Sequence, residues 1–84
     1  MGNITREQIA TILYRYEGNP KVDGTLAGFP DSGNVHSYAV DALIWATDEG
    51  LINGIKSNNI TNLAPQNNAT RAQIASIIMR YLEN

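Results

Sequence analysis

The chain has 84 residues, six basic and eight acidic side chains for a net charge of −2, one histidine and no cysteine. That length makes one small domain with a modest core, whose further burial has to come from a partner or a neighbouring unit. The scattered positive charge gives no footprint for nucleic acid, the missing cysteines exclude disulfides, thiolate metal sites and cysteine nucleophiles, and no stretch is apolar over the width of a bilayer, so membrane insertion is not expected.

The chain opens on a word that it later repeats. Asn3-Ile4-Thr5-Arg6-Glu7-Gln8-Ile9-Ala10-Thr11-Ile12-Leu13-Tyr14-Arg15-Tyr16 returns as Asn68-Ala69-Thr70-Arg71-Ala72-Gln73-Ile74-Ala75-Ser76-Ile77-Ile78-Met79-Arg80-Tyr81. An internal copy at one offset marks a repeat protein, so the chain reads as an excerpt from a longer array. Thr5 with Gln8, and Thr70 with Gln73, fit the capping box, in which hydroxyl and amide each satisfy a free backbone donor at a helix start. Beyond each cap the i, i+3, i+4, i+7 spacing of Ile9, Ile12, Leu13 and Tyr16, and of Ile74, Ile77, Ile78 and Tyr81, predicts an amphipathic helix with one buried face.

Arg6 and Arg71 then fall on the first helical residue, where the macrodipole disfavours a cation by roughly 0.3–1 kcal/mol. Two appearances at an unfavourable place call for a counter-ion. It is either a carboxylate elsewhere in the chain, with Asp31 and Asp41 as candidates, or an anionic ligand held jointly by guanidinium and free helix-start amides.

From Gly18 to Asn34 the residues are rich in Gly, Pro and Asp, which predicts a linker loop with Phe29 as its one core plug. Ser37 to Glu49 predicts a third helix ended by Gly50 as a left-handed cap. Its polar residues Ser37, Asp41 and Asp48 form a narrow stripe, so this helix should be buried from two sides, between the copied helices, with Trp45 in the core. Leu51 to Asn68 is expected to be an ordered loop with Ile52, Ile55, Ile60 and Leu63 turned inward. The fold class is therefore all-α: a small helical domain of three main helices with long ordered loops, covering residues 1–84.

Little in the sequence argues for chemistry. His36 has no second histidine or cysteine near it, so a transition-metal site is not expected. The Asp31–Asn34 loop lacks the spacing and bidentate acid of a calcium-binding EF-hand. No Ser-His-Asp set can be argued around the single histidine, and Asp41 and Asp48 on a helix face read as solvated or paired with arginine, not as acid/base partners. The chain is not expected to be an enzyme, and no cofactor or metal is expected.

Phe29-Pro30-Asp31, Tyr38-Ala39, Ala42, Trp45-Ala46, Gly50-Leu51-Ile52-Asn53-Gly54, Pro65 and Thr70-Arg71-Ala72-Gln73-Ile74-Ala75, read in that order, resemble the S-layer homology motif. The resemblance spans Phe29 to about Leu82, and the shorter match at Ile4 to Tyr16 is similar to the closing helix of a preceding repeat. It implies residues 1–17 as that closing helix, 18–34 as a linker loop and 29–84 as a complete repeat. It also implies a non-catalytic anchor, secreted to a bacterial cell surface, that binds anionic and commonly pyruvylated polysaccharide of the cell wall, with neighbouring repeats as further partners.

Carried over onto this sequence, the implied ligand-binding residues are Arg6 and Arg71, the early acid Asp31, the groove aromatic Tyr38 and Gly54. Three departures bear on that transfer: Gln8 and Gln73 stand where glutamate is usual, Tyr38 stands where tryptophan is frequent, and one junction between repeats is present where three repeats would give several grooves. The reading from a different class is a structural repeat for protein–protein docking or self-association, homodimer included, in which the arginines close internal contacts and no glycan is bound.

Overall fold

The structure, a computed structural model, describes residues 3–83; Met1, Gly2 and Asn84, at the ends of the expected 1–84 domain, lie outside that span. Both copies of the repeated word form helices, and both caps close in the way the residues dictate. Before helix α1 (Arg6–Tyr16), the Thr5 amide donates to Gln8 Oε1 at 2.8 Å and the Gln8 amide donates to Thr5 Oγ1 at 3.2 Å. Before the last helix, α3 (Arg71–Glu83), the Thr70 amide donates to Gln73 Oε1 at 2.9 Å and the Gln73 amide donates to Thr70 Oγ1 at 3.1 Å. Four orphan backbone donors are satisfied by two Thr/Gln pairs.

The helix expected over 37–49 is present, begun by a 3₁₀ turn at Ser37–Ala39 and continued as α2 (Val40–Asp48). Gly50 follows with φ +74, the left-handed conformation in which a side chain would be strained. Ala42, Leu43, Trp45 and Ala46 of α2 are buried against Ile9, Ala10 and Leu13 of α1. At about 1.5–3 kcal/mol for each large apolar side chain removed from water, this α1–α2 contact is the main apolar contribution to the fold. The expectation that this helix lies buried between the copied helices is corrected: α2 packs on α1, and it approaches α3 through Trp45, whose ring is buried 5.7 Å from that of Tyr14 and 6.1 Å from that of Tyr81.

The all-α expectation is corrected between α2 and α3. Residues expected to form only a loop contain an antiparallel hairpin, β1 (Ile55–Ser57) and β2 (Ile60–Asn62), with Ile55 opposite Asn62 and Ser57 opposite Ile60. Its two-residue turn holds Asn58 and Asn59 at φ 50 and 65, both in the left-handed region that a type I′ turn demands and that asparagine tolerates. The protein is mostly helical with a small two-stranded sheet. The hairpin also changes which side chains are inward: Ile52 and Leu63, on its two shoulders, are buried, while Ile55 and Ile60 within it are exposed. In the first loop Phe29 is half-buried as a plug, and Leu26, not singled out from the sequence, is more deeply buried.

The expected four-residue stripes are split between two faces. On α1, Ile9 and Leu13 are buried but Ile12 is 53% exposed and Tyr16 80% exposed. On α3, Ile77 is the one fully buried residue, Ile74 and Tyr81 are half-buried, and Ile78 is exposed. Ile77 occupies the place of Ile12 in the repeated word, and Ile78 that of Leu13. The two copies therefore turn different sides to the same core, rotated by roughly a quarter turn of helix.

Candidate functional site

Arg6 stands on the first residue of α1, and the fold has buried it to 5% exposure. Its guanidinium donates from Nε to the Leu63 carbonyl at 2.8 Å and from Nη2 to the Asn53 carbonyl at 2.7 Å. Burial pushes its pKa below the ordinary value, and the charge of Asp31 opposes that shift. Asp31 takes the other side of the same backbone: the amides of Leu63 and Ala64 donate to its two carboxylate oxygens, each at 2.8 Å. Guanidinium and carboxylate thus clamp one turn of chain from opposite sides, cation on carbonyl and anion on amide, which is the polarity each requires. To present both amides the turn places Ala64 at φ 49, a left-handed conformation costly for a residue with a Cβ.

Of the two counter-ions expected from sequence for Arg6, Asp31 is the one placed near it, acting through this shared peptide. Asp41 lies exposed on α2. The helix-start amides thought free are occupied at α1: Arg6 N–H donates to the Asn67 carbonyl and Glu7 N–H to the Pro65 carbonyl, both at 3.0 Å. An anti bridge between Thr5 and Asn68 sets the two helix starts side by side.

Glu7, which sequence reading passed over, is 2% exposed and carries the densest set of polar contacts among the described residues. Its Oε1 accepts from the His36 amide at 3.1 Å and from Gln66 Nε2 at 3.2 Å; its Oε2 meets His36 Nδ1 at 2.5 Å and accepts from the Tyr38 hydroxyl at 3.2 Å. Desolvation works to raise its pKa, yet the donors of His36, Gln66 and Tyr38 outweigh it and hold the carboxyl below its usual range. The same burial and the charge of Glu7 push the Tyr38 phenol up. His36 and Tyr38 stack at 5.6 Å with 18° between ring planes, a lid over the carboxylate. One signal in the sequence pointed here: Glu7 is the acid that the second word replaces with Ala72.

Two depressions adjoin these groups and a third lies at the far ends of α1 and α3. A cleft of about 330 Å³ lies between the Leu51–Ile55 segment and the inner side of α3, walled by Arg6, Asn53, Gly54, Gln73, Ser76 and Arg80. A second, of about 490 Å³, has Tyr38 with Asn3, Gln8, Ile12 and Arg15 on its walls. A third, of about 470 Å³, lies among Tyr16, Glu17, Trp45, Tyr81 and Leu82. There the Tyr81 hydroxyl donates to the Glu17 carboxylate, which pushes the phenol up to about 12.

The five residues singled out from sequence are therefore not gathered at one point. Arg6 and Gly54 share the first cleft, and Tyr38 faces the second. Asp31 is behind the first cleft, on the turn that Arg6 holds. Arg71 is exposed at the start of α3, next to Ala72 and Gln73, which line the first cleft. Gly54 is also a packing glycine: a Cβ there would come within 2.2 Å of Thr61 Cγ2 and 3.1 Å of both the Asn62 carbonyl oxygen and Phe29 Cε1. Arg80, on the rim of the first cleft, was not singled out from the sequence, where it stands only as the counterpart of Arg15 in the repeated word.

Comparison with known proteins agrees with the motif. The family described as the S-layer homology domain matches residues 28–75. A surface-layer 125 kDa protein of Lysinibacillus sphaericus is 34% identical over 84 residues, which covers 96% of this chain and 7% of that protein. Among solved structures, an undecaheme cytochrome from the S-layer of Carboxydothermus ferrireducens superposes with a TM-score of 0.74 at 23% identity, over 98% of this chain and 13% of that one, a likeness of fold. The chain thus spans a small fraction of the length of either protein it matches.

Proposed function

Because the chain belongs to the S-layer homology domain family, we propose that it is a non-catalytic anchoring unit of a secreted bacterial surface protein, attaching its parent to anionic, pyruvylated polysaccharide of the cell wall. In this reading residues 1–17 are the closing helix of a preceding repeat, 18–34 the linker and 29–84 a complete repeat; the seating of α1 on the following segment through Pro65, Asn67, Leu63 and Asn53 supports the division. The observation that carries the glycan reading is the first cleft. Two arginines, Arg6 in its wall and Arg80 on its rim, face a groove whose other walls are the Asn53–Gly54 backbone and the polar side chains Gln73 and Ser76. Such a surface offers a carboxylate its charge partner and offers sugar hydroxyls both donors and acceptors.

In the proposed roles Arg6 supplies fixed positive charge, Asp31 positions it by holding the turn on which it rests, and Gly54 lets the Asn53–Gly54 wall of the groove pack closely against Thr61, Asn62 and Phe29. Tyr38 offers a sugar-stacking face in the neighbouring groove, and Arg71 waits at the exposed helix start for polymer or for a following repeat. The decisive experiment is co-sedimentation with Gram-positive cell-wall sacculi before and after removal of their secondary polymer. Binding should require the polymer and fall in Arg80→Glu and Arg71→Glu, which lie on the surface and leave the Arg6 clamp intact. Equal sedimentation of stripped walls, or a charge-reversed protein that binds unchanged, overturns the glycan reading.

The docking alternative is favoured by a separate observation, the exposure of Ile78, Met79 and Leu82 along α3 and of Ile12 and Tyr16 on α1. Neighbouring repeats are the partners whose contact would cover both faces. A folded chain that ignores walls altogether while associating with an added repeat would support docking alone.

A further inference from the structure

The two copies of the word are nearly interchangeable as helices, yet only one of them occupies the seat formed by the segment from Asn34 to Asn67. Position by position, α3 offers Arg71 for Arg6, Ile74 for Ile9, Ala75 for Ala10, Ser76 for Thr11 and Ile78 for Leu13. In α1 all five of those places are buried in the seat; in α3 Arg71, Ala75, Ser76 and Ile78 are exposed. Charge, cap and apolar volume would therefore let the α3 of one molecule compete for the α1 seat of another. Exchange of a matching element between copies is an ordinary route to swapped oligomers. Only one difference between the two words removes a charge from a buried place, and that is Ala72 for Glu7.

The seat is built around that acid. His36 through its amide and ring, Tyr38 through its hydroxyl and Gln66 through its amide all converge on the Glu7 carboxylate. An alanine in the same place would leave these donors without their common acceptor, and Glu7 inserted in a seat without such donors would be a buried charge unpaired. A single buried polar group can fix register and partner in this manner in coiled coils, and rejection of the wrong partner is half of specificity.

We propose that Glu7 is the key by which this seat recognises its helix: it admits a helix with an acid at the second helical position, and Ala72 keeps the otherwise matching α3 of another copy out. The exposed face of α3 is consequently reserved for a following repeat whose seat presents no such cluster opposite Ala72. Order along an array then follows from complementarity at this one place, with no contribution required from any glycan.

Two double variants of the full chain isolate the key. E7A/A72E moves the acid from α1 to α3, and E7A/A72Q lacks it on both helices. Multi-angle light scattering across a common concentration series should give E7A/A72E an associated fraction severalfold larger than E7A/A72Q, although the added negative charge by itself opposes association. In the associated E7A/A72E species the NMR signals of the His36 and Tyr38 rings should return to their wild-type positions, as the acid of a neighbour's α3 fills the seat. Equal association of the two variants overturns the proposal, as does association that leaves those rings at their E7A/A72Q positions. Should loss of Glu7 prevent folding, E7Q/A72E and E7Q/A72Q, in which the glutamine keeps an acceptor in the seat for the His36 amide, give the same comparison: more association in E7Q/A72E supports the key, and parity overturns it.

Discussion

At the scale of single residues the Asp31 carboxylate answers for two amides and, through the peptide they share, for the placement of Arg6. Asp31→Ala strands the Leu63 and Ala64 amides and removes the negative charge facing a buried guanidinium, at a cost of about 2–4 kcal/mol that a urea titration should register as a lower midpoint. Asp31→Asn, which can accept one of the two hydrogen bonds, should fall between the variant and the wild type. Glu7 gives a pH signature. Its folded-state pKa is depressed below the unfolded value, so its contribution to stability is fully present above the unfolded carboxyl range near pH 4.5 and is lost as pH falls through the folded pKa. Thermal melts should drop through that acid window, and Glu7→Gln should flatten the drop while lowering stability at neutral pH.

At the scale of elements, the two caps are alike in geometry and unlike in consequence. Thr5→Ala and Thr70→Ala each remove a cap worth about 1 kcal/mol. The first loosens a helix whose amides also hold Pro65 and Asn67, so it should lower the global melting temperature; the second should chiefly increase amide exchange in the first turn of α3. In the hairpin, Asn59→Gly suits the left-handed turn position and should raise stability by a few tenths to 1 kcal/mol in the same titration.

The caps, α2 with its glycine stop and the central Trp45 were readable from the sequence because they depend on neighbours three or four residues away. The hairpin was missed because Ile55 to Asn62 carries its β signal in the Asn58-Asn59 turn, which without a glycine reads as loop. The split of the apolar stripes was not readable at all. Ile12 and Ile77 are the same residue in the same word, and only the position of each helix in the chain of neighbours decides which one is covered. Glu7 could be seen in the sequence only as a difference between copies, since its four contacts come from residues 29 to 59 places further along the chain.

At the scale of the whole molecule α3 is the least secured helix, with Ile77 its one fully buried side chain. Hydrogen exchange should therefore show residues 71–83 protected well below α1 and α2, and appending the next repeat of the parent protein should bring Arg71, Ala75 and Ile78 to protection comparable with Arg6, Ala10 and Leu13. Unchanged exchange in the longer chain would mean that the free face of α3 serves something other than a repeat.

The bridge between Thr5 and Asn68 has a geometric consequence for such a chain. The whole path from one Thr-Arg word to the next returns almost to its starting point, so successive helix starts gain next to no distance from each other. An array assembled this way would lengthen without reaching further, crowding its arginines around a common centre. A single polymer strand held there would meet each further contact at the high effective concentration of a short tether, and avidity would rise with the number of units while the affinity of each stayed modest.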